Sequence, residues 1–405
     1  MNVKKQRKNK GPLCDMQILD CTQVMAGPFC TMLLADMGAT VVKVENPDGG
    51  DPMRTHGPEY FKNGTAAFLA LNRNKKSLAV DLKTIQGKRI FKKLVQKFDV
   101  IVENFKPGTM DNLGLGYEVL KKNNKRLIYC SISGFGSSGP YKNRPGFDLI
   151  AQGMSGVMSF TGLEDGTLVK VGVPLGDLNS GLYGSYGILS AYINLLRTGK
   201  GQFVDTSLLD ASIASTFWQA AVYFSTSEIP RPLGTKHPLT APYQVFTTKD
   251  DHIVIGGASQ RAWELLCVAL DCLKLIDDKR FNTSKRRKQN ENILAKILQD
   301  ILSKKTTNDW LKILEKNQVP VGPIYTLDQV FNDPHVQARE MVIDLEDLDG
   351  NKIKHIGLPV KLSDTPGNIS HIAPKLGEQS KDILLEYGFS ESDISKFISK
   401  NIIKG

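Results

Sequence analysis

The sequence predicts an α/β protein, with a Rossmann-like large domain around a parallel sheet plus a smaller α+β domain. Three observations carry this. Strand-like runs in the first half are separated by amphipathic segments of helix length, which is the pattern of parallel βαβ units. From about Pro230 the character changes to short strands and helices around Trp263 and Trp310. The chain has 405 residues, 41% of them hydrophobic and 23% charged, a size and composition that fit two ordinary soluble domains.

The elements follow in order. Met16 to Asp20 reads as a strand, Pro28 to Met37 as a helix and Thr40 to Glu45 as a second strand, with Gly38-Ala39 as the turn between them. Ser77 to Asp81 is strand-like. Thr84 to Phe98 sets Ile90, Phe91, Leu94, Val95 and Phe98 on one helical face. Val100 to Glu103 and Arg126 to Ile132 are further strands, and Gly201 to Ser207 is the last strand of the sheet, leading into a helix through Leu209 to Ala221. Downstream, Tyr243 to Phe246 and His252 to Ile255 are short strands. The chain returns through Val321 to Tyr325 and ends in an amphipathic helix before Tyr387-Gly388.

One segment stands out chemically. Val173-Pro-Leu-Gly-Asp177-Leu-Asn-Ser-Gly sets an aspartate among small residues, and Leu182, Tyr186, Leu189 and Ile193 then recur at helical spacing. Asp177 therefore reads as the N-cap of a buried helix, its carboxylate held ionised by backbone N–H groups and the helix dipole. Taken by itself the segment describes a cap. An ionised carboxylate with small neighbours is also what a carboxylate nucleophile needs, since an acyl group can approach it closely.

Composition excludes several alternatives. The net charge of +10 is concentrated in Lys4, Lys5, Arg7, Lys8 and Lys10, which supply half of it, and in Lys285-Arg-Arg-Lys288. Neither run is interleaved with stacking aromatics, so the expectation is a solvated tail and a solvated turn, with no nucleic-acid partner. A positive field still favours anionic small molecules. No apolar run is long enough for a membrane helix, and the basic start is followed by no signal-peptide core. The six cysteines form no CxxC pair and fit reduced, buried thiols in the cytoplasm; the six histidines have no ligand spacing, so no metal site is expected. Phosphate-binding glycine motifs fail too. The first strand is followed by Gln23-Val-Met-Ala-Gly-Pro28, and Thr198-Gly-Lys-Gly-Gln202 reads as a helix-ending turn with Gly199 as its left-handed residue. No G-x-S-x-G surrounds Ser180 or Ser207.

Several motifs in order resemble the family III CoA-transferases, which include the formyl-CoA:oxalate and crotonobetainyl-CoA:carnitine enzymes. They are Ile18-Leu-Asp-Cys-Thr-Gln-Val-Met-Ala-Gly-Pro-Phe29, Met37-Gly-Ala-Thr-Val-Val-Lys-Val-Glu45, Gly50-Asp-Pro-Met-Arg54, Leu71-Asn-Arg-Asn-Lys-Lys-Ser77 and Val102-Glu-Asn-Phe-Lys-Pro-Gly108. Ser133-Gly-Phe-Gly-Ser-Ser-Gly-Pro140, Arg197-Thr-Gly-Lys-Gly201, His237-Pro-Leu-Thr-Ala-Pro-Tyr243, Pro320-Val-Gly-Pro323 and Leu376-Gly-Glu378 follow. Each piece is weak alone, and the ordered set is specific. The overall look is similar to the succinate–hydroxymethylglutarate and citramalate type.

The resemblance implies an enzyme in which Asp177 attacks an acyl-CoA, passing through an aspartyl anhydride and an aspartyl-CoA thioester before a free carboxylic acid accepts the CoA. It implies no permanently bound cofactor, with CoA entering as a thioester substrate. CoA contacts carry over to Met25 and Ala26, to Leu71, Asn72, Arg73, Asn74 and Lys75, and to Asn104, Phe105 and Lys106. Asn46 and Asn112 stand where relatives often carry phosphate-binding arginines, which shifts that work to Lys43, Lys75, Lys76 or Lys106. The related racemases place a histidine at Phe147, and Phe147 cannot move a proton. Asp148 is a second carboxylate able to orient the nucleophile, and His237 lies on a segment that matches a lid. A racemase and a non-catalytic CoA-binding relative are the competing readings. The resemblance further implies an interlaced homodimer. The expected divisions are a basic disordered leader over 1–12, the N-terminal part of the large domain over 13–225, the small domain over 226–325, and a return linker with the C-terminal part of the large domain over 326–405.

Overall fold

The computed structural model describes residues 11–57, 59–61, 64–347 and 350–405; nearly all of the basic leader lies outside the described residues. The chain divides into two compact units. One takes in the chain through Met158, Lys170–Glu228 and His335–Gly405, and the other Ser159–Val169 and Ile229–Pro334.

The larger unit is built on a sheet of β1 (Gln17–Asp20), β2 (Thr40–Glu45), β3 (Lys75–Val80), β4 (Val100–Glu103), β5 (Ile128–Ser133) and β6 (Phe203–Ser207). They run parallel in the order β3-β2-β1-β4-β5-β6. The sheet is not wholly parallel as expected: Ile403–Lys404 adds an antiparallel edge beside β3. The strands are rich in Val and Ile because both sheet faces are covered. Leu19, Val42, Val44 and Ile101 enter one core with Ile90, Phe91 and Leu94. Ile18, Val41, Val100 and Val102 point the other way, into a core with Cys30, Leu34, Ile188 and Leu195. The alternation is the period-two geometry of a strand, applied to apolar residues on both sides.

Helices α1 (Ala26–Asp36), α2 (Ile85–Val95), α3 (Asp148–Met154), α4 (Leu175–Thr198), α5 (Leu208–Ala214) and α6 (Phe217–Thr226) belong to this unit. The helix expected over 209–221 is two helices. Ser212 and Ser215 turn their hydroxyls back onto the carbonyls of Leu208 and Ala211, and Thr216 N–H bonds only three residues back, to Ile213.

The buried side of α4 also differs from the expectation. Leu182, Tyr186 and Ile193 are 48%, 69% and 51% exposed, whereas Ser180, Gly181, Gly184, Ile188, Ala191 and Leu195 are buried. Small and large residues both recur at helical spacing here, and the small ones face α1 because they allow a close approach. A Cβ at Gly181 would stand 2.7 Å from the Ala26 carbonyl oxygen.

In the smaller unit β7 (Tyr243–Thr247), β8 (His252–Gly256) and β9 (Val321–Pro323) form an antiparallel sheet in the order β9-β8-β7. Phe246, Ile253 and Ile255 pack with Trp263, Leu298 and Trp310 in its core. Among the described residues no helix is long and apolar enough to cross a membrane.

Candidate active site

In an open parallel sheet, ligands bind where neighbouring strands send their connections in opposite directions. That switch lies between β1 and β4. A cavity of about 440 Å³ sits there, walled by Gln23–Ala26 after β1, Asn104–Pro107 after β4, and Ser133-Gly134 at the end of β5. Arg144 to Asp148 and Asp177 complete the wall. The cavity thus gathers Met25, Ala26, Asn104, Phe105, Lys106, Phe147, Asp148 and Asp177 from the residues the sequence singled out.

Asp177 is the third residue of α4, not its cap. The N-cap is Pro174, which has no side-chain acceptor to offer. Asp148, the first residue of α3, does the capping from elsewhere in the chain: its Oδ1 accepts from the N–H of Gly176 at 2.7 Å and of Asp177 at 3.4 Å. Buried Gln152 holds Asp148 in turn, donating from Nε2 to Oδ2 at 2.7 Å while its Oε1 accepts from Val171 N–H at 2.9 Å. The carboxyl is not held ionised by the helix start as expected. Burial, and after it the Asp148 carboxylate, push Asp177 up to about 7.

The turn after β1 is fixed by charges beneath it. Asp20 accepts from Thr22 N–H at 2.9 Å, Lys43 Nζ donates to the Thr22 carbonyl at 2.8 Å, and Asn104 both accepts from and donates to the Gln23 backbone at 2.8 Å. Asp51, paired with Lys43 at 2.9 Å, accepts from Val24 N–H at 3.2 Å. These contacts hold Val24 at φ +66°, a left-handed conformation costly for a β-branched residue, and strain of this kind collects at functional sites. Gln23, Val24, Asp51, Arg144 and Gln152 escaped the sequence reading. Gln23 and Val24 lie inside the Ile18–Phe29 motif and Asp51 inside Gly50-Asp-Pro-Met-Arg54, but nothing in those runs marks them individually.

The remaining expected contacts fall elsewhere. Lys75 is wholly buried and donates to Asp20 at 2.9 Å, to the Pro28 carbonyl at 3.0 Å and to Asn72 at 2.9 Å. Burial pushes Lys75 down to about 8, against the pull of Asp20, while Asp20, which burial alone would raise, is held at about 2 by Lys75 and Lys43. Arg73 forks onto Asp36 at 2.8 and 3.1 Å, and Asn74 also donates to Asp36. The segment from Leu71 to Lys75 is therefore a brace between strand and helix, and it lines no part of the Asp177 cavity. Lys43 is spent on Asp51, and Lys76 lies 4.0 Å from Glu386. Asn46 and Asn112 are exposed and outside the cavity wall. His237 belongs to the smaller unit, where its ring stacks on Tyr243 at 5.0 Å and Nδ1 accepts from Leu239 N–H at 3.2 Å. Among the described residues no group of His, Cys, Asp and Glu is arranged to hold a metal ion.

A doubly wound sheet with a desolvated carboxyl in the cavity at its switch point is an α/β arrangement that can set a ligand against that carboxyl. The chain belongs to CoA-transferase family III, whose family profile matches residues 13–380. It is 39% identical to succinyl-CoA:glutarate CoA-transferase of Mus musculus, over 97% of this chain and 90% of that one. It is also 39% identical to succinyl-CoA:mesaconate CoA-transferase of Haloarcula hispanica, over 93% of this chain and 97% of that one. Among solved structures it superposes on a CAIB/BAIF family protein from Brucella suis with a TM-score of 0.83 and 37% identity, covering 94% of this chain and 100% of that one.

Proposed function

We propose that the protein moves CoA from succinyl-CoA to a free carboxylic acid, with Asp177 as the nucleophile and glutarate and mesaconate as the first acceptors to test. The carrying observation is Asp177 itself, in a cavity at the switch point, with the backbone around it fixed by Asp148. The ionised Asp177 carboxylate attacks the thioester carbonyl. The C–S bond breaks, leaving an aspartyl–acyl anhydride and CoA thiolate. The thiolate attacks the aspartyl carbonyl of the anhydride, releasing the donor acid and forming an aspartyl-CoA thioester. The acceptor carboxylate then attacks that thioester, and the freed thiolate attacks the acceptor's carbonyl, giving the new acyl-CoA and restoring Asp177. Each step exchanges one acyl bond for another of similar energy, so no external oxidant or base enters the balance.

Lys106, with no ion-pair partner among the described residues, fits the role of a CoA phosphate contact on the cavity wall. A racemase would need a second proton-transfer group facing the substrate, and Phe147 on this wall offers none. The same reading includes an interlaced homodimer. Its support is the apolar outer face of α4 together with Phe217 and Phe224 on α6, which are left exposed at 75% and 82%.

The test is chemical trapping. Protein incubated with succinyl-CoA and then hydroxylamine should be modified on the peptide that carries Asp177. Asp177→Ala should abolish CoA exchange while CoA still binds. Substantial exchange by that variant would sink the mechanism.

A further inference from the structure

The cavity that holds Asp177 has a charge problem that bears on its substrate. Asp148 and Asp177 both lie in its wall, so any further carboxylate inside meets repulsion unless a cation offsets it. The cations in the wall are Lys106 and Arg144. Lys106 stands on the turn after β4 and also lines a neighbouring cavity of about 530 Å³, whereas Arg144 does not line that one.

Arg144 is exposed and has no ion-pair partner among the described residues, yet it is not loosely placed. Its guanidinium carbon lies 4.6 Å from the ring centroid of Tyr141 and 5.4 Å from that of Phe135, and those rings contact each other edge to face at 5.8 Å. Its own N–H bonds the Tyr141 carbonyl at 2.9 Å. Beyond it the loop is pressed against the end of β5, where a Cβ on Gly146 would meet the Gly134 Cα at 2.6 Å. An arginine set over aromatic rings keeps its N–H edge for a planar anion, and its fork matches a carboxylate with two parallel hydrogen bonds. Only three residues separate it from Asp148, which orders the backbone of the nucleophile.

We propose that Arg144 is a specificity residue that receives the non-reacting carboxylate of a dicarboxylic acid while the other carboxylate reacts at Asp177. The inference rests on the transferase reading and deepens it: the acids exchanged are dicarboxylates, because a monocarboxylic acid of the same length leaves Arg144 unpartnered. Arg144 is exposed, so water solvates it when no second carboxylate is present, and the preference is that of one charge-assisted contact.

A competition experiment tests it. Holding succinyl-CoA fixed, glutarate and pentanoate are supplied together, and the ratio of glutaryl-CoA to pentanoyl-CoA is read by mass spectrometry. Both acids draw on the same CoA-loaded enzyme, so the ratio is independent of the donor half-reaction. The wild type should favour glutarate strongly. Arg144→Gln should lower the ratio roughly ten- to hundredfold, the worth of a charge-assisted contact, and Arg144→Lys should restore part of it. A parallel loss of both products with the ratio unchanged would mean that Arg144 merely supports the loop, and the inference falls. It falls equally if wild type exchanges CoA without preferring glutarate, a result that leaves the transferase reading intact. Exchange with neither acid, nor with any other, would overturn both.

Discussion

A carboxyl group titrating near 7 spends half its time protonated at neutral pH, and only the ionised half can attack a thioester. Asp177 is such a group, raised by burial and then by Asp148. The pH profile of kcat/KM, which reports the free enzyme, should rise about tenfold per unit at acid pH, bend near 7, and level above it. The nucleophile is the deprotonated form, so the sign is a gain with rising pH. Asp148→Asn keeps an oxygen to accept the Gly176 N–H and removes the like charge, so the bend should move to lower pH. An unmoved bend in that variant would show that Asp148 has no electrostatic hold on the nucleophile. On the proposed reading the two aspartates divide the work: one reacts, and the other fixes the helix start and raises its neighbour.

At the scale of the element, position rather than residue type decides what a lysine can do. Lys75 lies inside β3 with its amine closed under α1, whereas Lys106 stands on the turn leaving β4 at the cavity. Lys106→Ala should weaken CoA binding by roughly 1.5–3 kcal/mol, measured by calorimetry, with little change in thermal stability. Lys75→Ala should do the reverse. It strands Asp20 without its closest cation and should cost about 3–5 kcal/mol of folding stability, read from denaturant unfolding. If Lys75→Ala unfolds like wild type and Lys106→Ala binds CoA like wild type, this division is wrong.

The same distinction explains what the sequence could and could not convey. Strand and helix positions were legible through β6 because each apolar run is long and its period clear; Val100 to Glu103 coincides with β4, and Gly199 ends α4 at φ +72° as the turn chemistry required. Asp148 is marked in the sequence as a carboxylate able to orient the nucleophile, but that it does so through the backbone N–H of Gly176 was not legible, since the contact joins residues 28 positions apart and leaves no local periodicity. Nor was the burial of Lys75, because a lysine in a motif carries no mark of whether its amine meets solvent or Asp20. Large apolar residues point to the other face of α4, whereas the close contact with α1 is made by Gly181 and Gly184, which carry no apolar signal.

At the scale of the whole molecule, that exposed face argues for a partner copy. Tyr186, Leu196, Phe217 and Phe224 are each at least 65% exposed, large apolar side chains that a partner copy would cover. Sedimentation across a wide dilution range should show a dimer, with unfolding that depends on chain concentration. A folded, active monomer at low concentration would exclude the interlaced arrangement.

The bond between Asp148 and the start of α4 also bears on when the chain becomes chemically dangerous. Before α3 and α4 dock, Asp177 has no helix to carry it and Asp148 has no helix start to hold. On the proposed mechanism, reactivity toward thioesters belongs to the folded state alone and appears only once distant segments have met. A nascent or damaged copy has no assembled nucleophile with which to open an acyl-CoA, so the cell's activated acids are spent only by molecules whose architecture has already been proofread by folding.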